Sequence, residues 1–182
     1  IGKNGTYLQP VPLVRVVTSP KATLRAVKGA TTIDIPPGDG FSGTSQTQKE
    51  LEEFDAEAVF LGHGITAPEF GWDDFKGVDL KGKTMVVLVN DPPLADTAVF
   101  GGKRMTYYGR WTYKYEQGMK HHAAGVLLVH ETEPAGYPFT VVQGKVAEQF
   151  DLVTPDKNMG RSDIEGWITL DQAKALFKTA GQ

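Results

Sequence analysis

Four histidines, His63, His121, His122 and His130, are the side chains of this chain best suited to metal binding or proton transfer. Because the chain has no cysteine, a zinc site would need histidine and carboxylate ligands. The adjacent pair His121-His122 suggests such a site, but neighbouring helix positions point about 100° apart. We therefore predict that His122 packs inward, that His121 is exposed and that no metal is bound. His63, between two glycines, is predicted to be structural.

Paired carboxylates could support acid–base catalysis if two groups were held at a defined separation with unlike pKa values. Glu52-Glu53 lies in a charged run, which favours a solvated face. Asp73-Asp74, with Glu69 nearby, lies in a loop bounded by glycine and proline, where acidic residues commonly serve turns and caps. The sequence also contains no Gly-x-Ser-x-Gly motif, phosphate loop or dinucleotide fingerprint. We predict no catalytic residue in this chain.

Residues 107–115 concentrate aromatic and cationic side chains. Core packing explains part of this pattern, since Trp111 and Tyr115 fall on one helical stripe. A recognition surface is the alternative, because Tyr and Arg are enriched at binding hot spots. Arg110 is unfavourable at a helix start and is expected to meet a local carboxylate or a partner. We predict that loop 101–110 faces a partner and that four residues contact it or a substrate: Tyr107, Tyr108, Arg110 and Trp111.

The elements that must position these residues are mostly strands. Apolar runs and alternating patterns predict strands at residues 11–17, 22–27, 33–36, 59–65, 85–89, 126–129 and 164–168. Residues 111–123 are predicted to form a helix with Trp111, Tyr115, Met119 and His122 on its inner face. A second helix is predicted after Thr169, which forms a capping box with Gln172, and it ends at Gly181. Its apolar face is predicted to consist of Leu170, Ala173, Leu176 and Phe177.

Two segments have weaker patterns. Residues 46–55 fit a short helix, started by Ser45 with Gln48 or by Thr47 with Glu50. Residues 144–162 are polar and are predicted to be irregular. Because strands dominate and helices occur only in the second half, the pattern predicts an α+β protein rather than a doubly wound parallel sheet.

Composition limits the partners. The 182 residues suit one domain, and 19 Lys and Arg against 22 Asp and Glu leave a net charge of −3. This balance argues against a nucleic-acid surface, which needs clustered positive charge. The longest purely apolar run, residues 85–89, is too short to cross a bilayer. We expect neither nucleic acid nor a membrane as a partner.

Several separated segments, in order, resemble the protease-associated domain inserted in zinc aminopeptidases of the M28 type. The segments are residues 7–13 (YLQPVPL), 56–93 (AEAVFLGHGITAPEFGWDDFKGVDLKGKTMVVLVNDPP), 100–116 (FGGKRMTYYGRWTYKYE), 130–138 (HETEPAGYP) and 165–168 (EGWI). The resemblance covers nearly the whole chain. It implies one protease-associated domain over residues 1–182, with an entry linker at 1–10 and a return segment with the C-terminal helix at 163–182. The implied architecture is a compact, barrel-like β-sandwich flanked by two or more helices. For residues 46–55 the resemblance implies an extended segment that leads into the strand at Val59, which we favour over a helix.

The resemblance also implies a function. Such a domain is non-catalytic, covers the active-site cleft of the peptidase and modulates substrate access or protein interaction. Its expected partners are the peptidase domain of the same parent chain and the peptide substrate at the cleft. Two zinc ions are expected in that absent domain and no cofactor in this one, because no histidine here begins the family's His-x-Asp motif. Family resemblance further suggests export to the periplasm or outside the cell.

Two other functions remain open from the residues. The first is a self-sufficient module that binds peptide or carbohydrate through the aromatic side chains of residues 107–115. The second, less favoured, is a small hydrolase with an unfamiliar site. The opening and closing residues resemble mid-protein sequence, and we expect the chain to be a piece of a larger peptidase.

Overall fold

Strands form most of the regular structure in this computed structural model, which describes residues 5–19, 21–102, 104–144 and 148–182. Four parts therefore lie outside the described residues: the first four residues of the expected entry linker, Pro20, Lys103 of the expected loop 101–110, and residues 145–147. The described strands are β1 (Leu13–Val17), β2 (Leu24–Lys28), β3 (Thr31–Ile35), β4 (Phe41–Thr44), β5 (Ala58–Phe60), β6 (Thr66–Ala67), β7 (Trp72–Asp73), β8 (Thr84–Leu88), β9 (Gly125–His130), β10 (Glu148–Leu152) and β11 (Ile164–Thr169). The α-helices are α1 (Trp111–Lys120), α2 (Thr132–Ala135) and α3 (Leu170–Ala180).

A five-stranded sheet in the order β4-β11-β9-β8-β5 forms the centre. Strands β5, β8, β9 and β11 run parallel, and β4 pairs antiparallel with β11. All six residues of β9 are buried, as expected for a parallel strand covered on both faces. The α+β class predicted from the sequence is confirmed, although the parallel arrangement of four central strands was not predicted.

Alternate residues of the central strands build two apolar clusters on opposite faces of the sheet. Met85 and Val87 of β8 join Val126 and Leu128 of β9 in one cluster, against which Tyr115 of α1 packs. Their neighbours Val86, Leu127 and Val129 form the other cluster with Ile168 of β11 and Ala173 of α3. The period of two along each strand thus places α1 and α3 on different sides of one sheet.

Helix α3 follows the predicted pattern. The hydroxyl oxygen of Thr169 accepts a hydrogen bond from the backbone N–H of Gln172, and Gly181 ends the helix in the left-handed conformation. Leu170, Leu176 and Phe177 pack against the second cluster. The predicted cap, stop and apolar face of this helix are confirmed.

The predicted inner face of α1 is wrong in part. Tyr115 packs inward, but Trp111 and Met119 are 48% and 42% exposed. The buried residues of this helix are Tyr113, Lys114, Gln117 and Gly118. Gly118 lies so close to β9 that an added Cβ would be 2.2 Å from Val126 Cγ2. Close backbone approach and a buried cation therefore determine this face more than apolar side chains do.

Residues 144–162 contain a strand that we did not predict. In the described part of this segment β10 pairs antiparallel with β1, with Leu13 opposite Leu152 and Arg15 opposite Phe150. Both strands alternate exposed and half-buried residues, and β10 carries polar side chains on both faces. The sequence pattern of β10 is weak because this strand is stabilised mainly by pairing with β1, more than 130 residues away along the chain.

Residues 46–55 form neither helix nor strand. The hydroxyl of Thr47 donates to the Glu52 carboxylate at 2.7 Å, and the side-chain amide of Asn158 donates to the Gln46 carbonyl oxygen at 3.0 Å. Thr47, one of the two predicted helix caps, thus stabilises a loop instead of starting a helix. The predicted strand at 59–65 is also shorter than expected, since β5 ends at Phe60, although Leu61 and Ile65 are buried.

Candidate functional site

An open cavity of about 710 Å³ lies on the α1 side of the central sheet and is the candidate site. Five aromatic side chains line it: Phe41, Trp111, Tyr115, Tyr137 and Trp167. Glu165 also lines this cavity, which we name the aromatic cleft. Its volume lies within the range of small-ligand pockets.

Two elements position the main groups of the aromatic cleft. Glu165 and Trp167 are two residues apart on β11, so both face the same side of the sheet. Trp111 and Tyr115 are four residues apart on α1 and their rings meet edge to face at 5.6 Å. The periods of the strand and of the helix together place the Glu165 carboxylate and these aromatic side chains in the lining of one cavity.

Glu165 is an unusual residue for a central strand. It is only 9% exposed, and its carboxylate forms no hydrogen bond or ion pair with any residue that the structure describes. Burial raises the pKa of this carboxyl to about 7, against the opposing attraction of Arg161. A carboxyl group with such a pKa can exchange a proton near neutral pH or receive a cation.

Amide side chains form a polar rim around the aromatic cleft. Gln143 donates through Nε2 to an Asp39 carboxylate oxygen at 3.0 Å, and Gln149 donates to Thr44 Oγ1 at 3.1 Å. Each amide nitrogen thus uses one of its two N–H groups within the protein. Neither amide oxygen accepts a hydrogen bond from a described residue, so both oxygens can serve as acceptors for a ligand. The rim therefore favours hydrogen-bond donors.

The four predicted contact residues have different surroundings. Trp111 lies in the aromatic cleft. Tyr107 is 53% exposed and donates its hydroxyl to Glu116, and Tyr108 donates to Glu69 at 2.6 Å. This last hydrogen bond is the main reason why the pKa of Tyr108 is raised to about 12.

Arg110 is the exposed N-cap residue of α1 and forms no ion pair with a described residue. The expectation that it meets a local carboxylate is therefore wrong for the described part of the chain. The alternative, a partner surface, remains a prediction. Tyr107 and Tyr108 pack edge to face against Tyr113, at 5.6 and 5.1 Å, and so belong to a structural cluster beside Arg110.

The predicted roles of the adjacent histidines are reversed. His121 is half-buried and stacks on Phe75 with the ring centroids 4.1 Å apart. His122 is exposed, with a positive φ of 55° just beyond the end of α1. The helix ends at Lys120, so His122 leaves the stripe on which the prediction placed it. Among the described residues no three His, Asp or Glu side chains cluster in a way that could hold a metal.

A buried lysine forms a polar centre that the sequence analysis missed. Lys114 of α1 donates to the carbonyl oxygens of His63 at 2.6 Å and Asn90 at 3.3 Å. His63 Nδ1 lies 2.9 Å from the same Asn90 oxygen, which supports its predicted structural role. Asn90 in turn donates from its side-chain amide to the Pro134 carbonyl oxygen at 2.7 Å. Burial lowers the pKa of Lys114 to about 7.

The loop before α1 is fixed to the same centre. Asp91 accepts hydrogen bonds from the Thr106 backbone N–H at 2.6 Å and hydroxyl at 3.0 Å. Gly109 lies against this turn, where an added Cβ would be 2.9 Å from Asn90 Oδ1 and from the Asp91 nitrogen. The carboxyl end of β8 therefore sets the position at which α1 begins.

The sequence contained signals for both missed groups. Glu165 interrupts an otherwise apolar strand, Ile-Glu-Gly-Trp-Ile, and a charge in such a position is a candidate functional residue. Lys114 lies between two tyrosines of an amphipathic helix. Tyr137 had no comparable signal, because its place in the aromatic cleft depends on the path of the loop after α2.

Comparisons with protein families, with curated proteins and with solved structures found no match to this chain. Within the described ranges, no helix combines the length and apolar character needed to span a bilayer.

Proposed function

We propose that this chain is the protease-associated domain of an M28-type zinc aminopeptidase, a non-catalytic domain that covers the peptidase cleft and modulates substrate access or protein interaction. Lys114 carries the proposal. It lies in one of the segments with the family resemblance, 100–116, and its hydrogen bonds reach His63 and Asn90 in a second segment, 56–93. Asn90 extends the network to Pro134 in a third, 130–138. Segments that resemble one family in sequence thus meet in one buried network.

The proposal includes the architecture that the resemblance implies, a compact, barrel-like β-sandwich flanked by helices. Its support is the prevalence of strands, which form one five-stranded and three two-stranded sheets in the described residues, together with the helices that flank the central sheet.

One exposed face of the β1–β10 ribbon combines apolar side chains with the Arg15–Glu148 ion pair and supports a role beside another domain. Leu13 of β1 lies opposite Leu152 of β10, and Phe150 of β10 is 61% exposed. Val17 is exposed on the same face of the ribbon. Clustered apolar side chains of this kind mark surfaces that a partner covers. We assign this face to contact with the peptidase domain.

The proposal places no cofactor in this domain and two zinc ions in the peptidase domain. The partners are that domain and a peptide substrate, with neither nucleic acid nor a membrane, and the protein is exported. Purified on its own, the chain is expected to hydrolyse no amino-acid p-nitroanilide and to contain no zinc. Stoichiometric zinc together with turnover would overturn the proposal.

Arg110 provides the sharper test, because it is exposed and free of ion pairs with described residues. Its planar guanidinium suits carboxylate recognition. In a protein that joins this domain to its peptidase, Arg110→Ala is expected to raise KM severalfold or to change substrate preference, with zinc content and melting temperature unchanged. Lys174→Ala, on the exposed side of α3, is the matched control. Unchanged kinetics in both variants would remove this loop from any role in access.

The aromatic cleft favours a second candidate function, a self-sufficient peptide- or carbohydrate-binding module. Its aromatic walls and buried carboxylate form a site within this chain alone. Ligand binding by the isolated domain, without effect on a joined peptidase, would favour this alternative.

A further inference from the structure

The carboxylate of Glu165 lines the aromatic cleft without a hydrogen-bond partner among the described residues. The residue is more than nine-tenths buried, lines the aromatic cleft and accepts no hydrogen bond from a described residue. Removal of a charge from water is unfavourable unless a partner compensates for it. A strand that places such a group in the lining of an open cleft is suited to a ligand that supplies a positive charge.

The walls of the aromatic cleft have the matching chemistry. Trp111 and Tyr115 form one wall from α1, while Tyr137 and Trp167 line the cavity from the loop after α2 and from β11. Aromatic faces attract ammonium and guanidinium groups through the ring quadrupole, most strongly at Trp. They also pack well against the methylene stem that carries such a group.

The charged and titratable groups that act on Glu165 do not satisfy it from within. Arg161, in the loop before β11, attracts the carboxylate from a distance without forming an ion pair. Tyr115 interacts electrostatically with Glu165 and with Tyr137, and neither hydroxyl donates to the carboxylate. An anionic ligand would meet repulsion from Glu165. A neutral sugar could donate hydrogen bonds to the carboxylate but would supply no positive charge to balance it.

We propose that the aromatic cleft binds the side chain of a lysine or arginine residue of a peptide, with the cationic group on Glu165 and the apolar stem between the aromatic walls. The cavity of about 710 Å³ also has room for the peptide backbone on either side of this side chain. The amide oxygens of the rim can accept hydrogen bonds from that backbone. This inference does not rest on the proposed function, since it uses Glu165 and not Arg110.

The geometry also sets a pH dependence. Because the pKa of Glu165 in the free protein is about 7, most of the carboxyl groups are protonated at pH 6 and most are ionised at pH 8. Only the ionised form pairs with the cation, so the apparent affinity is expected to rise about tenfold between these pH values. Lysine and arginine side chains remain charged throughout this range.

The test is a titration of the isolated chain, followed by amide chemical shifts, with Nα-acetyl-arginine amide and Nα-acetyl-lysine amide. Nα-acetyl-norleucine amide is the neutral isostere, tetramethylammonium supplies a cation without a stem or peptide group, and cellotriose represents the carbohydrate alternative. We expect the two basic amides to shift resonances of the aromatic cleft at millimolar concentrations and norleucine amide to bind at least tenfold more weakly. Equal binding of the neutral isostere, tighter binding of tetramethylammonium or cellotriose, or no binding by either basic amide would overturn the proposal.

Two variants and one control complete the design. Glu165→Gln keeps the volume and removes the charge, and it is expected to lower affinity for the basic amides at least tenfold and to abolish the pH dependence. Trp111→Ala, at a half-exposed position, is expected to lower affinity at least threefold. Glu133→Gln removes an exposed carboxylate on α2 outside the cavity lining and should bind as the unchanged protein does. Undiminished binding by Glu165→Gln would refute the assignment.

Discussion

Two buried ionisable residues, Glu165 and Lys114, have shifted pKa values that converge from opposite directions on about 7. Burial is the main cause in both cases. Desolvation disfavours the charged form, so it raises the pKa of an acid and lowers that of a base. Each group should therefore give stability its own dependence on pH.

The Glu165 carboxyl is expected to reduce stability as pH rises. The folded protein keeps this proton up to about pH 7, whereas the unfolded chain releases it near the ordinary value of 4.5. The penalty is absent below the lower value and complete above the higher one, where it reaches at most about 3 kcal/mol. Glu165→Gln should therefore be as stable as the unchanged protein at pH 4 and more stable at pH 8, as measured by urea unfolding.

The comparison with the Gln variant is essential, because the lowered pKa values of His63, His121 and His130 act in the opposite direction below pH 6.5. Their effects cancel when the two proteins are compared at the same pH. A stability difference that does not change between pH 4 and pH 8 would contradict this account of Glu165.

The Lys114 ammonium should have the reverse effect at higher pH. Its pKa of about 7 in the folded protein lies below the ordinary 10.5, so the unfolded chain binds more protons between these values and stability rises with pH. The full gain is up to about 5 kcal/mol. We expect Lys114→Met to lose this rise, as measured by urea unfolding between pH 7 and about pH 9.5, below the usual range of tyrosine ionisation.

Lys114→Met should also be less stable at pH 9, because the carbonyl oxygens of His63 and Asn90 would lose their donor. Lys120→Met, at the exposed end of α1, serves as the control. An unchanged pH slope in Lys114→Met would show that another group causes it.

At the scale of elements, the contact between α1 and β9 depends on one glycine. A Cβ at Gly118 would lie 2.2 Å from Val126 Cγ2 and 3.2 Å from Ser162 Oγ. Gly118→Ala is therefore expected to lower the free energy of unfolding by about 1–3 kcal/mol through overpacking. This loss should exceed the gain in helix propensity, which is at most about 1 kcal/mol.

Gly160→Ala provides the matched control, since nothing lies within 4 Å of its Cβ position and its φ is not positive. Urea unfolding of both variants would decide the question. If Gly118→Ala proved as stable as Gly160→Ala, the helix would have room to move away from the sheet.

Elements with strong local signals could be predicted from the sequence. Thr169, Gln172 and Gly181 define α3 within one segment of the chain, and the apolar runs of β8 and β9 identify buried strands. The β1–β10 pairing could not be predicted in this way, because it depends on residues far apart in the sequence.

The candidate site shows the same division. Trp111 was predicted from local composition. The position of Glu165 in the aromatic cleft depends on where β11 lies in the sheet, which the sequence did not reveal. The prediction that Trp111, Met119 and His122 are buried was wrong, because α1 turns Lys114 and Gly118 towards the sheet instead. Lys114 finds carbonyl oxygens there, and Gly118 permits close packing. The spacing of hydrophobic residues along the helix predicts neither the hydrogen bonds of Lys114 nor the close packing at Gly118.

At the scale of the whole molecule, we expect the isolated chain to fold cooperatively as a monomer. Two apolar clusters cover the two faces of one sheet, and both are built from residues of this chain. A single unfolding transition by two spectroscopic probes and a monomeric mass in solution would support this. A molten or aggregated product would mean that a partner surface is needed to complete the fold.

Substitutions in the exposed β1–β10 ribbon and in the core should have clearly different effects on the free energy of unfolding. Phe150→Ser, on the exposed face of β10, is expected to change the free energy of unfolding by less than about 0.5 kcal/mol. Leu128→Ala, fully buried in β9, should lower it by about 2–5 kcal/mol. A large loss from Phe150→Ser would show that the ribbon face is packed in the isolated chain.

The order of strands in the central sheet determines when this protein can fold during its synthesis. Strand β11 lies between β4 and β9, yet it follows both of them along the chain. Until it has left the ribosome, β4 has no neighbour to pair with and the apolar residues of β9 lie at an open edge. At about 5–20 residues per second, the segment between β9 and the end of β11 takes a few seconds to make. A nascent chain at this stage is therefore a natural client for a chaperone, and a pause in translation within that segment would prolong the interval in which it can aggregate.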